Sequence, residues 1–310
     1  MKIIIWKKVR QPVEYLRGGG DKMFRFELKR CMKGRGFKAA FLISLILAAG
    51  HFTAFCICFL HNEYGGIITD KEAVKLLKAG QSVLGIYPAN IFEGFIGGEQ
   101  YTFWNGVYFY LLPIIAVLPF GTSFFEDEDS GYLKNIYIKK KKEIYLVCKF
   151  IVTFISGGIA AGLPYVFSFM MNLLYVPAIK PNQLARHNFV NQLNYMSDWY
   201  YEKPFLYFGV YLLIIMLCGG VFATLSLCVS FAAKNSLFVM FFPFLFNISF
   251  DYVAMELKIE KYVPSNIMNP MMTEYIKGRS MFSVFVEIFA AILLCFGFFV
   301  VLNKKRERIV

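Results

Sequence analysis

The chain has 310 residues, of which 57% are hydrophobic and 18% aromatic, and its mean hydropathy is +0.52. This composition is too apolar for a soluble domain of that length and predicts a multi-pass membrane protein. The net charge of +12 could suggest nucleic-acid binding. The basic residues cluster beside apolar segments instead, as expected for contact with an anionic membrane leaflet, so we expect no nucleic-acid partner.

Residues 1–22 form a basic tail ahead of the first recognisable element. If a ribosome-binding sequence and its spacer were translated in frame, the resulting peptide would match residues 17–22. We therefore hypothesise that Met23 is the native start of the protein in a Gram-positive bacterium. The alternative is a flexible basic tail.

A basic amphipathic helix is predicted over residues 23–36. Its apolar side chains are Phe24, Leu28 and Met32, and its basic side chains are Arg25 and Lys29. Such a helix suits the plane of the membrane interface, and Gly34 and Gly36 would let the chain turn into the membrane behind it. We call this segment the elbow helix.

Six apolar segments follow, each long enough to cross about 30 Å of hydrocarbon. They are residues 37–60, 104–125, 144–176, 205–233, 237–255 and 282–302. We expect Pro113 and Pro119 to kink the second span, and the long third span to tilt or break near Gly157-Gly158 or Pro164. The predicted fold is therefore all-α, with a six-helix transmembrane domain over residues 37–302.

The distribution of lysine and arginine predicts the orientation. With the N-terminus inside, the inner segments hold 23 basic residues and the outer segments hold 10; without residues 1–22 the ratio is 17 to 10. Both termini, including the basic tail 303–310, are therefore expected in the cytoplasm, and the protein in the plasma membrane.

Three outer loops are long enough to carry structure: residues 61–103, 177–204 and 256–281. In the first, Thr69 and Glu72 have capping-box spacing and predict a short helix on the outer surface. The second ends in aromatic residues, typical of a membrane interface. Prolines in the third are expected to divide it into short pieces.

The inner loop at residues 126–143 has a distinctive order of parts. Four acids are followed by a serine-glycine break, a short amphipathic segment and four lysines. A loop this charged cannot lie in hydrocarbon, so it is expected to face water. The residues that we expect to contact a partner are Glu126, Asp127, Glu128, Asp129, Gly131, Tyr132, Leu133, Ile136 and Tyr137.

This loop resembles the cytoplasmic loop between the second and third spans of ABC-2 type ABC-transporter permeases. In that family an E-x-x-x-G-x-x-x-x-I-like segment forms a coupling helix on the ATPase subunit. The matching places here are held by Glu126 or Glu128, Gly131, Leu133, Ile136 and Lys149. The chain departs from the family in its KKKKE run, where a Pro-Ser/Thr-Arg-like turn is common.

The resemblance implies the membrane subunit of an ABC exporter, working with two ATPase subunits and a second permease that is a copy or a related chain. Lys234 and Asn235, in the tight turn between spans 4 and 5, would be a secondary coupling loop. The chain has no Gly-x-x-x-x-Gly-Lys-Ser/Thr loop and no catalytic constellation, so we expect no enzyme activity and no bound cofactor. ATP and Mg²⁺ would bind to the partner.

The expected cargo is a hydrophobic or amphipathic peptide, because the exporters that the chain looks most like are those for bacteriocins and phenol-soluble modulins. A lipid or small drug is the alternative cargo. An ATP-independent channel, carrier or immunity protein is the alternative class. Glu287 and His51 are the candidate polar groups within the membrane, with structural hydrogen bonding as the competing interpretation. No metal site or disulfide framework is expected from the seven cysteines.

Overall fold

The computed structural model describes residues 20–60, 78–79, 90–98, 102–139, 141–181, 190, 194–270 and 279–307. The α-helices within these residues are α1 (Gly20–Lys33), α2 (Arg35–Leu60), α3 (Phe103–Val117), α4 (Ser123–Asp129), α5 (Tyr132–Lys139), α6 (Lys142–Leu173), α7 (Ser197–Glu202), α8 (Pro204–Val229), α9 (Ser236–Glu256), α10 (Pro264–Met268) and α11 (Met281–Glu307). Two short 3-10 turns lie at Ile91–Glu93 and Glu260–Tyr262.

Five helices in the described part of the chain are long and apolar enough to cross a membrane: α2, α6, α8, α9 and α11. The chain is therefore helical and has the character of a multi-pass membrane protein. The expected second span, residues 104–125, is divided. Helix α3 has only 15 residues, fewer than the roughly 20 that a helix needs to cross the hydrocarbon core of a membrane. The chain turns between Leu118 and Thr122, where Pro119 lacks a backbone donor, and α4 then begins.

The bundle is built around α6 and α8. Helices α1, α2 and α3 pack on α6, while α3, α9 and α11 pack on α8. Helix α6 is continuous over 32 residues, so the span is not broken at its glycine pair or Pro164, and a tilt stays a prediction. The predicted outer-surface helix around Thr69 lies outside the described residues, as do residues 1–19.

Small residues bring α6 and α8 into close contact. A Cβ atom on Gly157 would collide with Ala223, and one on Gly219 would collide with Ala161. A Cβ on Gly158 would meet the backbone of α8. Small residues let two membrane helices approach closely enough for their backbones to touch. We call this contact the α6–α8 seam.

Helix α1 covers most of the predicted elbow and ends one residue before α2. It packs on α6 through a face that includes Met23, Glu27 and Cys31. Phe24 and Leu28 pack beside Phe120. The exposed residues include Arg25 and Lys29, as expected, and also Met32, which is 56% exposed rather than part of the packed face.

The two ends of the bundle are unlike. Helices α4 and α5 lie at one end, which we call the loop end. At the opposite end, the far end, residues 90–98 pack among the ends of α2, α3, α6 and α8. Sequence patterning did not predict this segment. The pieces Glu260–Tyr262 and α10 agree with the expected division of the loop 256–281.

Candidate functional site

Four ionisable side chains from three helices meet at the loop end. Glu27 and Arg30 come from α1, Asp127 from α4 and Lys149 from α6. Glu27 and Arg30 are three residues apart, which places them on one face of the helix. Tyr145, one turn before Lys149, completes the group. We call these five residues the Asp127 cluster.

The carboxylate of Asp127 is the centre of this cluster. Its Oδ2 lies 2.6 Å from Lys149 Nζ and accepts a hydrogen bond of 2.7 Å from the Tyr145 hydroxyl. Its Oδ1 lies 2.5 Å from Arg30 Nη2. Lys149 Nζ also lies 3.4 Å from Glu27 Oε2. Asp127 therefore joins a helix on the loop side to α1 and to a helix that is long enough to cross the membrane.

The cluster is electrically balanced, and all of it except the partly exposed Arg30 is buried. The side chains of Glu27 and Lys149 are fully buried and that of Asp127 is 1% exposed. Lys149 Nζ also lies 4.1 Å from the centroid of the Phe120 ring, a cation–π contact. Two acids and two bases cancel in charge, and each desolvated ion has a counter-ion. Without its partner, each of these ions would be strongly destabilising.

The pKa of Asp127 shows how this balance works. Burial alone would raise the pKa of this carboxyl, but the charges and hydrogen bonds of Lys149 and Arg30 outweigh burial and lower it below its usual 3.8. Burial opposes the charge on Arg30 too, yet Asp127 and Glu27 raise the pKa of its guanidinium. Asp127 and Arg30 therefore keep their charges at neutral pH.

The acidic run is not a uniform charged surface. Helix α4 turns Asp127 inward and leaves Glu126 and Asp129 exposed, with Glu128 in between. Glu126 Oε1 accepts a hydrogen bond of 2.8 Å from the Thr122 hydroxyl. Of the four acids expected to contact a partner, Asp127 is thus committed to contacts within its own chain.

The short helix α5 also turns its apolar residues inward. Leu133 is 8% exposed and Ile136 is 1% exposed, and both pack in a cluster that includes Met23, Phe124 and Tyr145. Tyr132 and Tyr137 pack at its edge. The apolar face of a short amphipathic helix goes to the nearest apolar surface, which here belongs to the same chain. A partner approaching α5 would therefore not meet Leu133 and Ile136 first.

The outward face of α5 consists of different residues. Lys134 and Asn135 are exposed, and Ile138 is 83% exposed. Gly131, between α4 and α5, has φ of +71°, with no atom within 4 Å of the place where a Cβ would lie. The chain turns there as expected, because glycine adopts this left-handed conformation without steric cost.

The remaining predicted residues lie elsewhere. Lys234 is exposed, and Asn235 caps α9 by accepting a 3.0 Å hydrogen bond from the Leu237 amide. His51 is buried, with Nδ1 3.1 Å from the Ser168 hydroxyl. Glu287 pairs with Arg279 at 2.5 Å. His51 and Glu287 thus have structural partners, and neither belongs to the Asp127 cluster.

Glu27, Arg30 and Tyr145 were missed by the sequence reasoning, although each left a signal. Glu27 and Arg30 have ion-pair spacing on the face of α1 opposite its exposed basic residues. A tyrosine one turn before a lysine at the start of an apolar run marks a polar face on an otherwise apolar helix. These signals become specific only when Asp127 is placed between the two helices.

A largely apolar cavity lies between α8, α9 and α11, with a volume of about 580 Å³. Its lining includes Phe222, Phe242, Phe246, Phe250, Phe298 and Glu287. Among the described residues, no group of three or more His, Cys, Asp or Glu side chains is placed to hold a metal ion.

Comparison with known proteins assigns no family to the chain. A scan against protein-family models finds no match, and a search of curated proteins finds no similar sequence. Its function is therefore inferred from the residues and their geometry.

Proposed function

We propose that this chain is the membrane subunit of an ATP-driven exporter in the plasma membrane, with both termini in the cytoplasm. Two permease chains, identical or related, would work with two separate ATPase subunits that bind ATP and Mg²⁺. The observation that carries the proposal is the Asp127 cluster, because it ties a charged loop to a helix long enough to cross the membrane.

The cluster gives the loop a mechanical connection to the bundle. Asp127 holds α4 to α6 through Lys149 and to α1 through Arg30. Leu133 and Ile136 hold α5 to the same surface. Separating a buried ion pair leaves an uncompensated charge, which costs about 3–5 kcal/mol. A displacement of α5 by an ATPase is therefore passed to α1 and α6 rather than absorbed by the loop.

The contact with the ATPase uses the outward face of α5. Ile138 supplies an exposed apolar side chain beside Lys134, and α4 adds Glu126 and Asp129. A surface with an apolar centre and charges of both signs can set the register of a complementary partner. Tyr132, Leu133, Ile136 and Tyr137 support this face from behind.

The cavity between α8, α9 and α11 supports a hydrophobic or amphipathic cargo. Its lining is largely apolar and includes Glu287 and Tyr262 as polar members. A peptide with an apolar face is our first choice of cargo, and a lipid or small drug is the alternative. An ATP-independent carrier or immunity protein is the alternative class, and it would need no ATPase contact on α5.

The test is co-purification in nanodiscs with candidate ATPases from the gene neighbourhood of this chain, followed by measurement of ATP hydrolysis. Ile138→Asp should lower ATPase binding and coupled hydrolysis at least tenfold while leaving the melting temperature of the membrane subunit unchanged. Ile179→Asp is the matched control, because Ile179 is an exposed isoleucine, 47% exposed, in the segment that follows α6 at the far end.

Leu133→Asp separates folding from coupling. A carboxylate in the place of this buried leucine should destabilise the membrane subunit itself. The proposal would be contradicted if no ATPase co-purified with the wild-type chain, or if Ile138→Asp left ATPase coupling unchanged. Either result would make the loop a solvated connection and favour the ATP-independent alternatives.

A further inference from the structure

Residues 90–98 fill the far end of the bundle, opposite the Asp127 cluster. They contact α2 at Phe55, α3 at Asn105 and α6 at Ser168. Ser168 lies 19 residues after Lys149 on the same helix, which is about 28 Å along its axis. The segment and the Asp127 cluster are therefore separated by about one hydrocarbon thickness.

The backbone of this segment is bonded to the surrounding helices. The Ile96 amide donates to the Ser168 hydroxyl at 3.1 Å, and the Gly97 amide donates to Asn105 Oδ1 at 2.8 Å. The Ile91 amide donates to the Pro177 carbonyl at 3.2 Å. A buried irregular segment needs such outside acceptors, because it has no regular ladder of its own.

Aromatic packing holds the same segment from the side. The Phe92 ring lies 5.1 Å from the ring of Phe205 on α8. The Phe95 ring lies 5.1 Å from Tyr165 and 5.5 Å from Phe169, both on α6. Phe92 and Phe95 are only 1–2% exposed. The segment is thus packed between the helices rather than lying over them.

Glu93 lies within this apolar packing. It is 7% exposed, and its Oε1 accepts a hydrogen bond of 2.5 Å from the side-chain amide of Asn90. No basic side chain acts on it among the residues that the structure describes. Burial raises the pKa of Glu93 from its ordinary 4.5 to about 7.

Among the residues that the structure describes, the other ionisable groups near the segment include tyrosines and His51. Tyr200 of α7 is close enough to interact electrostatically with Glu93. Tyr165 of α6 makes an edge-to-face contact with Phe95, and Tyr207 of α8 packs against Tyr200. His51 of α2 is bonded to Ser168, the residue that also holds Ile96. A tyrosine cannot compensate the negative charge of an ionised Glu93.

We infer that residues 90–98 are a proton-controlled plug, which stays seated between the helix ends while Glu93 is protonated and is released when Glu93 ionises. Its role as the outer gate of an export path rests on the proposed function, whereas the seating equilibrium does not.

The direction follows from the linkage between protonation and seating. A released Glu93 would titrate near 4.5 and a seated one near 7. Seating is therefore strongest below pH 4.5 and weakens as the pH rises to about 7, by about two orders of magnitude in its equilibrium constant. Above about pH 8 no further change is expected from this group.

The test is hydrogen–deuterium exchange of the full chain in nanodiscs at pH 5.5 and pH 8, read by mass spectrometry and corrected for intrinsic exchange rates. In the wild type, the protection factors of the amides of residues 92–97 should be at least tenfold lower at pH 8 than at pH 5.5. Glu93→Gln should keep them protected at both pH values, because a neutral amide replaces the acid.

Glu202→Gln is the matched control, since it removes an exposed acid at the end of α7 and should behave like the wild type. Protection that does not change with pH in the wild type would overturn the inference, and so would pH dependence that persists in Glu93→Gln. The experiment contains no ATPase, so a failure of the exporter proposal leaves its outcome unaffected.

Discussion

Asp127 and Glu93 are both buried carboxyl groups, and they lie at opposite ends of the bundle. Asp127 faces Lys149 and Arg30, and the pKa of its carboxyl is lowered despite burial. Glu93 accepts a hydrogen bond from the amide of Asn90, no basic side chain among the described residues acts on it, and its pKa is raised to about 7. Burial is common to both, so the counter-ions decide the difference. The loop end is held by ion pairs that stay charged at neutral pH. The packing of the far end includes the carboxyl group of Glu93, which can titrate near neutral pH.

The largest expected effect comes from removing the counter-ion of Asp127. Lys149→Met leaves Asp127 and Glu27 buried with only Arg30 to compensate them, so it should destabilise the protein by about 3–5 kcal/mol. Thermal or denaturant unfolding in detergent measures this change. Lys141→Met, which removes an exposed lysine just before α6, should change stability by less than about 0.5 kcal/mol. Equal effects of the two variants would mean that the cluster does not stabilise the fold.

Neutralising the two acids should have opposite effects at pH 8. Asp127→Asn removes the counter-charge of Lys149 and Arg30, and we expect a loss of about 2–4 kcal/mol. Glu93→Gln replaces an acid that burial disfavours in its charged form, and we expect a gain of about 1–3 kcal/mol. Comparison of the two melting temperatures measures the difference. Changes of the same sign would refute the contrast between the two ends.

The pH dependence of stability should separate the two acids. The contribution of Asp127 is present above pH 3.8 and is lost as the pH falls through its lowered pKa. The stabilisation from protonated Glu93 is lost as the pH rises from 4.5 to about 7. Melting temperatures of the wild type should therefore fall between pH 5 and pH 7.5, and those of Glu93→Gln should stay more nearly level. A slope that Glu93→Gln does not reduce would assign the titration to another group.

The smallest effect concerns the hydroxyl in the Asp127 cluster. Tyr145→Phe removes one hydrogen bond to Asp127 but leaves both counter-ions, so we expect a loss of about 1–2 kcal/mol in unfolding experiments. Tyr110→Phe, at a position that is 57% exposed, is the control and should change little. A loss as large as that of Lys149→Met would mean that the hydrogen bond, rather than the ion pair, holds α4 to α6.

The apolar spans and the charged loop could be predicted because each is a long, uniform stretch of composition. The division of residues 104–125 could not, since the apolar run continues through Pro119 and Gly121 while the helix stops. Hydropathy measures the affinity of a segment for the membrane, and it does not register a missing backbone donor.

The inward turn of Asp127 is a different kind of difficulty. Four consecutive acids look equivalent in sequence, and their environment is set by Lys149, which lies 22 residues later, and by Arg30, which lies 97 residues earlier. Leu133 and Ile136 were recognised as one apolar face, but the surface that receives them belongs to the same chain. The buried state of residues 90–98 likewise depends on four helices that converge only in the folded protein.

The α6–α8 seam has a consequence for how the protein is made. All its residues lie before the end of α8 at Val229, so the ribosome has completed both sides of the seam before α9 and α11 are synthesised. Helices α6 and α8 can thus associate in the membrane first. Helices α9 and α11 then pack against a pair that is already formed. Because domains tend to fold in the order of their synthesis, we expect a bulky residue at Gly157 or Gly219 to disturb biogenesis earlier than one in α11.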